Sequence, residues 1–186
     1  TETLVELALS LVTENKMPTV LDIGTGSGCL AVTIALEKQG AVVFASDVSL
    51  PALETANQTA MSLAARVAFR HSDLFAEWQA QRFDLIVSNP PYVGLQDVLP
   101  PEIRAFEPSI ALFPGSDVLS VYRRLAEDAG QRLNPCGAIA VEVGDGQVNE
   151  VVEIFESEQW ACIERRRDLS GIERALAFKR LATDLP

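Results

Sequence analysis

At 186 residues, 48% of them hydrophobic, the chain is long enough for one domain with a real core and too apolar to be mostly disordered. Its 15 basic residues against 26 acidic ones give a net charge of −11. That balance speaks against DNA or RNA as the direct substrate, because phosphate contacts call for a basic face. No apolar run approaches the ~20 residues of a membrane helix and no signal peptide is evident, so a cytoplasmic setting without a membrane partner is expected.

The chain opens at Thr1 directly in a helical pattern, as expected for the catalytic part, residues 1–186, of a longer protein. Leu4 to Val12 carry apolar side chains at helical spacing. Val20 to Ile23 is a short strand pattern running into a glycine-rich loop. Cys29 to Glu37 is Ala-rich and helical, and Gly40 ends it. Val42 to Ser46 is a continuous apolar strand followed by Asp47. Ser49 can cap a helix that starts at Pro51 and runs to about Leu63. Val67 to Arg70 and Phe83 to Ser88 are further buried strands. A proline-rich irregular stretch follows from Asn89 to Gly115, of a length that inside a compact domain is usually functional. Asp117 to Leu133 is helical, Asn134 to Gly137 a turn, and Ala138 to Val143 a strand. Val148 to Ser157 is helical. Ala161 to Arg167 and Arg174 to Arg180 form a closing pair of strands, expected to be antiparallel at the sheet edge.

This alternation of strand and helix predicts an α/β fold: a mostly parallel sheet with helices on both faces. Ligands in such sheets bind at the carboxyl ends of the strands, near the topological switch point. Cys29, Cys136 and Cys162 are odd in number and lack a C-x-x-C spacing, and buried reduced thiols are expected. The single histidine, His71, excludes a histidine-rich metal centre and is expected as a strand-end residue; no metal is expected.

The loop Asp22-Ile23-Gly24-Thr25-Gly26-Ser27-Gly28 lies between a strand and a helix, where glycines let backbone N–H groups approach a ligand. Dinucleotide enzymes use a similar loop, but two details differ here. The spacing is G-x-G-x-G, and Asp22 precedes it. That carboxylate repels a pyrophosphate and attracts a ligand carrying an ammonium and a sulfonium group. Asp47, about 20 residues on, is placed to accept both hydroxyls of a ribose. Asp73 follows the third strand and can accept an exocyclic adenine amine, with Leu74 over one face of the ring.

Asn89-Pro90-Pro91-Tyr92 follows the fourth strand directly. An amide or aryl-amine nitrogen has a delocalised lone pair and is a poor nucleophile. Fixing its two N–H bonds between acceptors aims that lone pair. The Asn89 side-chain oxygen and the Pro90 carbonyl suit this, the prolines stiffen the backbone, and Tyr92 can stack on the flat group. A sulfonium loses its charge on giving up a methyl group and is already activated. Positioning, worth ~7–11 kcal/mol, therefore suffices without a strong base.

The glycine loop with Asp47 resembles the class I S-adenosylmethionine-dependent methyltransferases, whose Rossmann-like sheet the element order matches. The N-P-P-Y tetrapeptide narrows the resemblance to the amino and amide methyltransferases, which act on adenine N6 in DNA or on a protein glutamine. Thr1-Glu2-Thr3, Phe106-Glu107-Pro108 and the run Asp168 to Arg174 are similar to the protein-(glutamine-N5) methyltransferases of peptide-chain release factors, without the family's helical N-terminal domain. The resemblance implies S-adenosylmethionine as methyl donor and a release factor as substrate. By position it implies cofactor contacts at Gly24 to Gly28, Asp47, Leu74 and Asn89, and a target glutamine held by Asn89, Pro90, Pro91 and Tyr92. Two other readings stand beside it: an adenine-N6 or other N-methyltransferase, and a methyltransferase-like fold that only binds a partner.

Overall fold

The computed structural model describes residues 1–12, 14, 16–91 and 117–181. Within them the chain runs α1 (Glu2–Leu11), β1 (Thr19–Ile23), α2 (Cys29–Glu37), β2 (Val42–Asp47), α3 (Leu50–Ser62), β3 (Val67–His71), β4 (Phe83–Ser88), α4 (Ser120–Ala129), β5 (Leu133–Glu142), α5 (Val148–Ser157), β6 (Trp160–Arg167) and β7 (Glu173–Arg180). Tyr92, Phe106-Glu107-Pro108 and nearly all of the irregular stretch after Asn89 lie outside the described residues.

The strands form one seven-stranded sheet in the order β3-β2-β1-β4-β5-β7-β6. β1 pairs in parallel with β2 and β4, β2 with β3, and β4 with β5. β7 pairs antiparallel with both β5 and β6. This is the mostly parallel sheet with an antiparallel closing pair expected from the sequence, with β6 as the free edge of that pair and β7 inserted beside β5. The strand order reverses between β1 and β4, so the switch point lies where the glycine loop and Asn89 emerge.

Burial follows the two-residue period of a strand covered on both faces. In β4, Leu85 and Val87 face one cluster with Leu4, Leu7, Leu30 and Ile34 from α1 and α2. Ile86, between them, faces the other cluster with Tyr122, Leu125, Val151 and Phe155 from α4 and α5. Phe44, Trp78 and Phe83 meet edge-to-face with centroids 5.7 Å apart, the geometry favoured by ring quadrupoles.

Two expectations need correction. Asn134 to Gly137 is not a turn ahead of the strand but an irregularity inside it. Phe83 pairs with Leu133 and Leu85 with Ala138, so several β5 residues loop out against β4, with Cys136 at φ 68°. The expected buried thiols also do not hold. The three cysteines are free, but Cys29 and Cys136 are exposed and Cys162 is half-buried. Cys29 opens α2 beside the loop and Cys136 sits on the bulge, positions that hydrophobicity alone does not reveal.

Candidate active site

The expected site residues among the described ones, all but Tyr92, lie at or just beyond the carboxyl ends of β1 to β4. The glycine loop is pinned from beneath by main-chain groups of β2. Gly24 and Thr25 both donate N–H to the Ser46 carbonyl, at 2.9 and 3.0 Å. Gly26 donates its N–H to Asp47 Oδ2 at 2.9 Å. Gly28, at φ 84°, is the N-cap of α2, and its amide donates to Thr25. Any side chain at Gly28 would collide with α3, since a Cβ there stands 3.0 Å from both Ala56 Cα and Ala56 Cβ. At Gly24 and Gly26 an added Cβ meets nothing within 4 Å. Those two residues thus border open space, while Gly28 allows helix and loop to touch. Ser27 is exposed on the same turn.

Asp22 is almost wholly buried. Its Oδ2 accepts the Thr25 hydroxyl at 2.7 Å and the Ala31 N–H at 3.2 Å. Among the described residues its Oδ1 has no hydrogen-bond partner. Burial pushes the carboxyl up to about 7; the Thr25 and Ala31 hydrogen bonds pull it down, and the neighbouring Asp47 charge raises it further. A buried carboxylate oxygen without a donor favours a cation arriving above it.

Asp47 stands at the end of β2 with one oxygen on Gly26 and the other, Oδ1, accepting Ser49 N–H at 2.8 Å. Ser49 itself caps α3, accepting Ala52 N–H at 3.3 Å. Asp47 is therefore not the side-chain cap of α3. Each of its oxygens keeps lone-pair capacity for a ligand hydroxyl. Replacing Asp47 with Ala is expected to weaken cofactor binding by on the order of ten- to hundredfold, as loss of charge-assisted hydrogen bonds implies. The melting transition should stay cooperative. Calorimetric titration checks this, and unchanged affinity would leave Asp47 with a purely loop-tethering role.

Asp73 is exposed, and its carboxylate pairs with Arg124 of α4 at 2.9 Å. Together with Leu74, Phe75, Gln79 and Arg132 these two line a cleft of about 220 Å³. Leu74 holds φ 44°, a left-handed conformation that costs a branched side chain about 1–2 kcal/mol. It is half-buried, packed on the core beside the cleft.

Asn89 emerges from β4 half-buried, followed by buried Pro90 and half-buried Pro91. Ser88 locks this exit: its hydroxyl donates to the Ile23 carbonyl at 2.8 Å, tying the ends of β1 and β4 together. Asn89 Nδ2 donates to Thr1 Oγ1 at 3.2 Å. His71 ends β3 with Nε2 2.9 Å from the Val48 carbonyl. No cluster of His, Cys, Asp or Glu suited to a metal occurs among the described residues.

Sequence reasoning missed the supporting hydroxyls. Ser46 carries the glycine loop on its carbonyl and accepts the buried Trp78 indole N–H on its Oγ at 3.2 Å. Small hydroxyl residues closing the apolar runs of β2 and β4 were the available signal.

Residues 4–101 match the family model of the methyltransferase small domain. The chain is 44% identical to the release factor glutamine methyltransferase of Neisseria gonorrhoeae over 183 residues, covering 96% of this chain and 66% of that protein. It is 40% identical to the protein of that name from Cereibacter sphaeroides, with 96% of this chain and 64% of the relative covered. The chain thus spans less than two thirds of the length of these relatives. Among solved structures, the ribosomal protein L11 methylase of Lactobacillus delbrueckii subsp. bulgaricus superposes with a TM-score of 0.71 at 23% identity, covering 96% of this chain and 79% of that one. The Thermus thermophilus 16S rRNA N2 G1207 methyltransferase, solved with AdoMet and guanosine, gives 0.66 at 19% identity, covering 97% of this chain and 44% of that one.

Proposed function

We propose, since the chain belongs to the methyltransferase small domain family, that it is the catalytic domain of a cytoplasmic enzyme methylating the side-chain amide of a glutamine in a peptide-chain release factor. S-adenosylmethionine is the methyl donor in this reading. The observation that carries it is the meeting, at one switch point, of an open glycine loop over an Asp22 oxygen that has no partner among the described residues, with Asn89 leaving the neighbouring strand. The names of the relatives at 35–44% identity support the choice of substrate.

The residues fit this cofactor. Asp22 Oδ1 offers a buried anionic acceptor for a cationic methionine end, Gly24 to Gly28 leave room for it, and Asp47 keeps acceptors for ribose hydroxyls. Asp73 and Leu74 border the adenine edge. When bound, the sulfonium supplies the activated methyl group. The chain's own contribution is positioning: Asn89 and the Pro90 carbonyl hold the two N–H bonds of the acceptor amide and Tyr92 stacks on its face, so that its nitrogen is aimed at the methyl carbon. As the N–C bond forms and the S–C bond breaks, positive charge moves from sulfur to the nitrogen, whose two carbonyl acceptors stabilise it through the N–H bonds; the thioether is the leaving group and the surplus proton then passes to water. Methyl transfer from labelled S-adenosylmethionine to a release factor, against a DNA control, tests the reading; methylated DNA with an unmodified release factor would replace it with the adenine-N6 alternative.

Asp22 makes the binding step pH-dependent. With its carboxyl raised to about 7, the ligand-free domain holds an extra proton below that pH. A cation bound above favours the ionised form and expels the proton. Cofactor affinity is expected to rise up to about tenfold per pH unit between roughly 5 and 7, then level off. The ligand-free stability runs the opposite way. The folded state binds more protons than the unfolded one between about 3.9 and the raised value, so stability falls as pH rises through that window. Asp22→Asn should flatten both slopes. Calorimetric titrations and denaturant melts at several pH values read this directly, and a variant that keeps the wild-type slopes would remove Asp22 as their source.

A further inference from the structure

We propose that Ser72 is a positioning residue for the adenine end of the cofactor, setting how strongly the site prefers adenine over a purine with a 6-oxo group; this rests on the reading of Asp73 and Leu74 as the adenine edge. Ser72 directly follows β3 and is 4% exposed. It acts from behind that edge, through the main chain.

The Ser72 hydroxyl is used twice. Its Oγ donates to the Leu74 carbonyl at 2.9 Å and accepts the Glu77 N–H at 3.2 Å. The Ser72 N–H donates to the Asp47 carbonyl at 3.0 Å, so the same residue joins this turn to the end of β2, where the ribose acceptor stands. Leu74 holds φ 44°, a left-handed conformation disfavoured for leucine on the order of tenfold. Such a conformation persists only where its surroundings enforce it. The Ser72 hydroxyl supplies that hold on the Leu74 peptide, from a buried and doubly bonded position. Asp73 lies outward of it, with its carboxylate 57% exposed and paired to Arg124 of α4. An exocyclic amine donates to that carboxylate, whereas a 6-oxo group sets lone pair against lone pair. If the turn relaxes, Asp73 and Leu74 move together. The Leu74 cover is then lost for either purine, but the carboxylate acceptor is lost for adenine alone. The preference between the two purines therefore reports the shape of the turn.

The test titrates the full-length protein with S-adenosylhomocysteine and with its 6-oxo counterpart, S-inosylhomocysteine. Ser72→Ala removes the hydroxyl and nearly keeps the size. The expected result is a preference for the adenine ligand reduced on the order of tenfold, about the worth of one hydrogen bond. A Ser72 that only stabilised the fold would lower the melting temperature and weaken both ligands alike. Ser72→Cys, whose thiol is a weak donor, carries the same expectation where the alanine variant does not fold. Asparagine tolerates the left-handed turn without help, so the double variant Ser72→Ala with Leu74→Asn should regain most of the preference. An undiminished preference in the Ser72 variants, or no recovery in the double variant, overturns the proposal and leaves the functional reading standing. Wild-type protein that binds both ligands equally removes Asp73 from the adenine edge and the proposal with it. Wild-type protein that binds neither overturns the functional reading as well.

Discussion

Asn89→Ala is expected to lower methyl transfer by about 10²–10³-fold, the loss typical of a single oriented polar group at a reacting centre, while cofactor affinity changes little. The backbone that carries Asn89 is set independently of its side chain. Ser88 ties the end of β4 to β1 through the Ile23 carbonyl, and Pro90 is buried immediately after. Truncation should therefore leave the fold intact and appear in turnover, since the lost hydrogen bond strengthens as the acceptor nitrogen gives up charge. Asn89→Asp is the sharper variant. It keeps the size and an acceptor oxygen but adds a negative charge near the sulfonium. That charge stabilises the cationic ground state more than the charge-dispersed transition state, so turnover should fall while cofactor binding holds or tightens. Single-turnover kinetics with a release factor decide it, and near-normal rates in both variants would take Asn89 out of the mechanism.

Gly26→Val should abolish cofactor binding at concentrations that saturate the wild type, a loss on the order of hundredfold or more. Two effects combine. Gly26 holds φ 57°, and a β-branched residue there costs upward of about 1–2 kcal/mol. Its Cβ would meet no protein atom within 4 Å, so the branched side chain would rise into the space the ligand must enter. The domain should still fold. Gly28→Ala is the informative contrast. Its Cβ would press on Ala56 at 3.0 Å and its φ of 84° disfavours any side chain, so the expected effect is about 1–3 kcal/mol of lost stability from overpacking and backbone strain, with binding impaired only as the loop shifts. Melting curves and titrations on both variants separate the two roles. A Gly26→Val structure with cofactor in the usual place would refute the assignment of the loop.

The sequence by itself determined the fold class and the elements that carry the candidate site. The apolar runs of β1, β2 and β4 are short, continuous and punctuated by Gly, Asp and Asn, and such runs are legible because a strand buried on both faces has no polar alternation to blur it. Residues 29–37, 83–88 and 148–157 emerged with the boundaries that their periodicity and turn residues dictate. The glycine loop, Asp47 and Asn89 were legible for a related reason. Each directly ends a strand, and in a parallel sheet all strand ends of one sense lie on one side.

What only the tertiary structure decided concerns contacts across long stretches of chain. Nothing local says that Asp22 lies under the loop with one oxygen satisfied and the other without a partner among the described residues, because its burial comes from α2 and the surrounding strands. The Asp73 ion pair spans 51 residues and the Asn89–Thr1 hydrogen bond 88. The bulge at Asn134 to Gly137 looked like a turn because proline and glycine punctuate it. Pairing of the flanking residues with β4 absorbed it into the strand. The different duties of Gly26 and Gly28 were equally invisible, since one faces open space and the other faces α3. Local pattern fixes what a segment is; which atoms meet is settled by packing the sheet and its helices together.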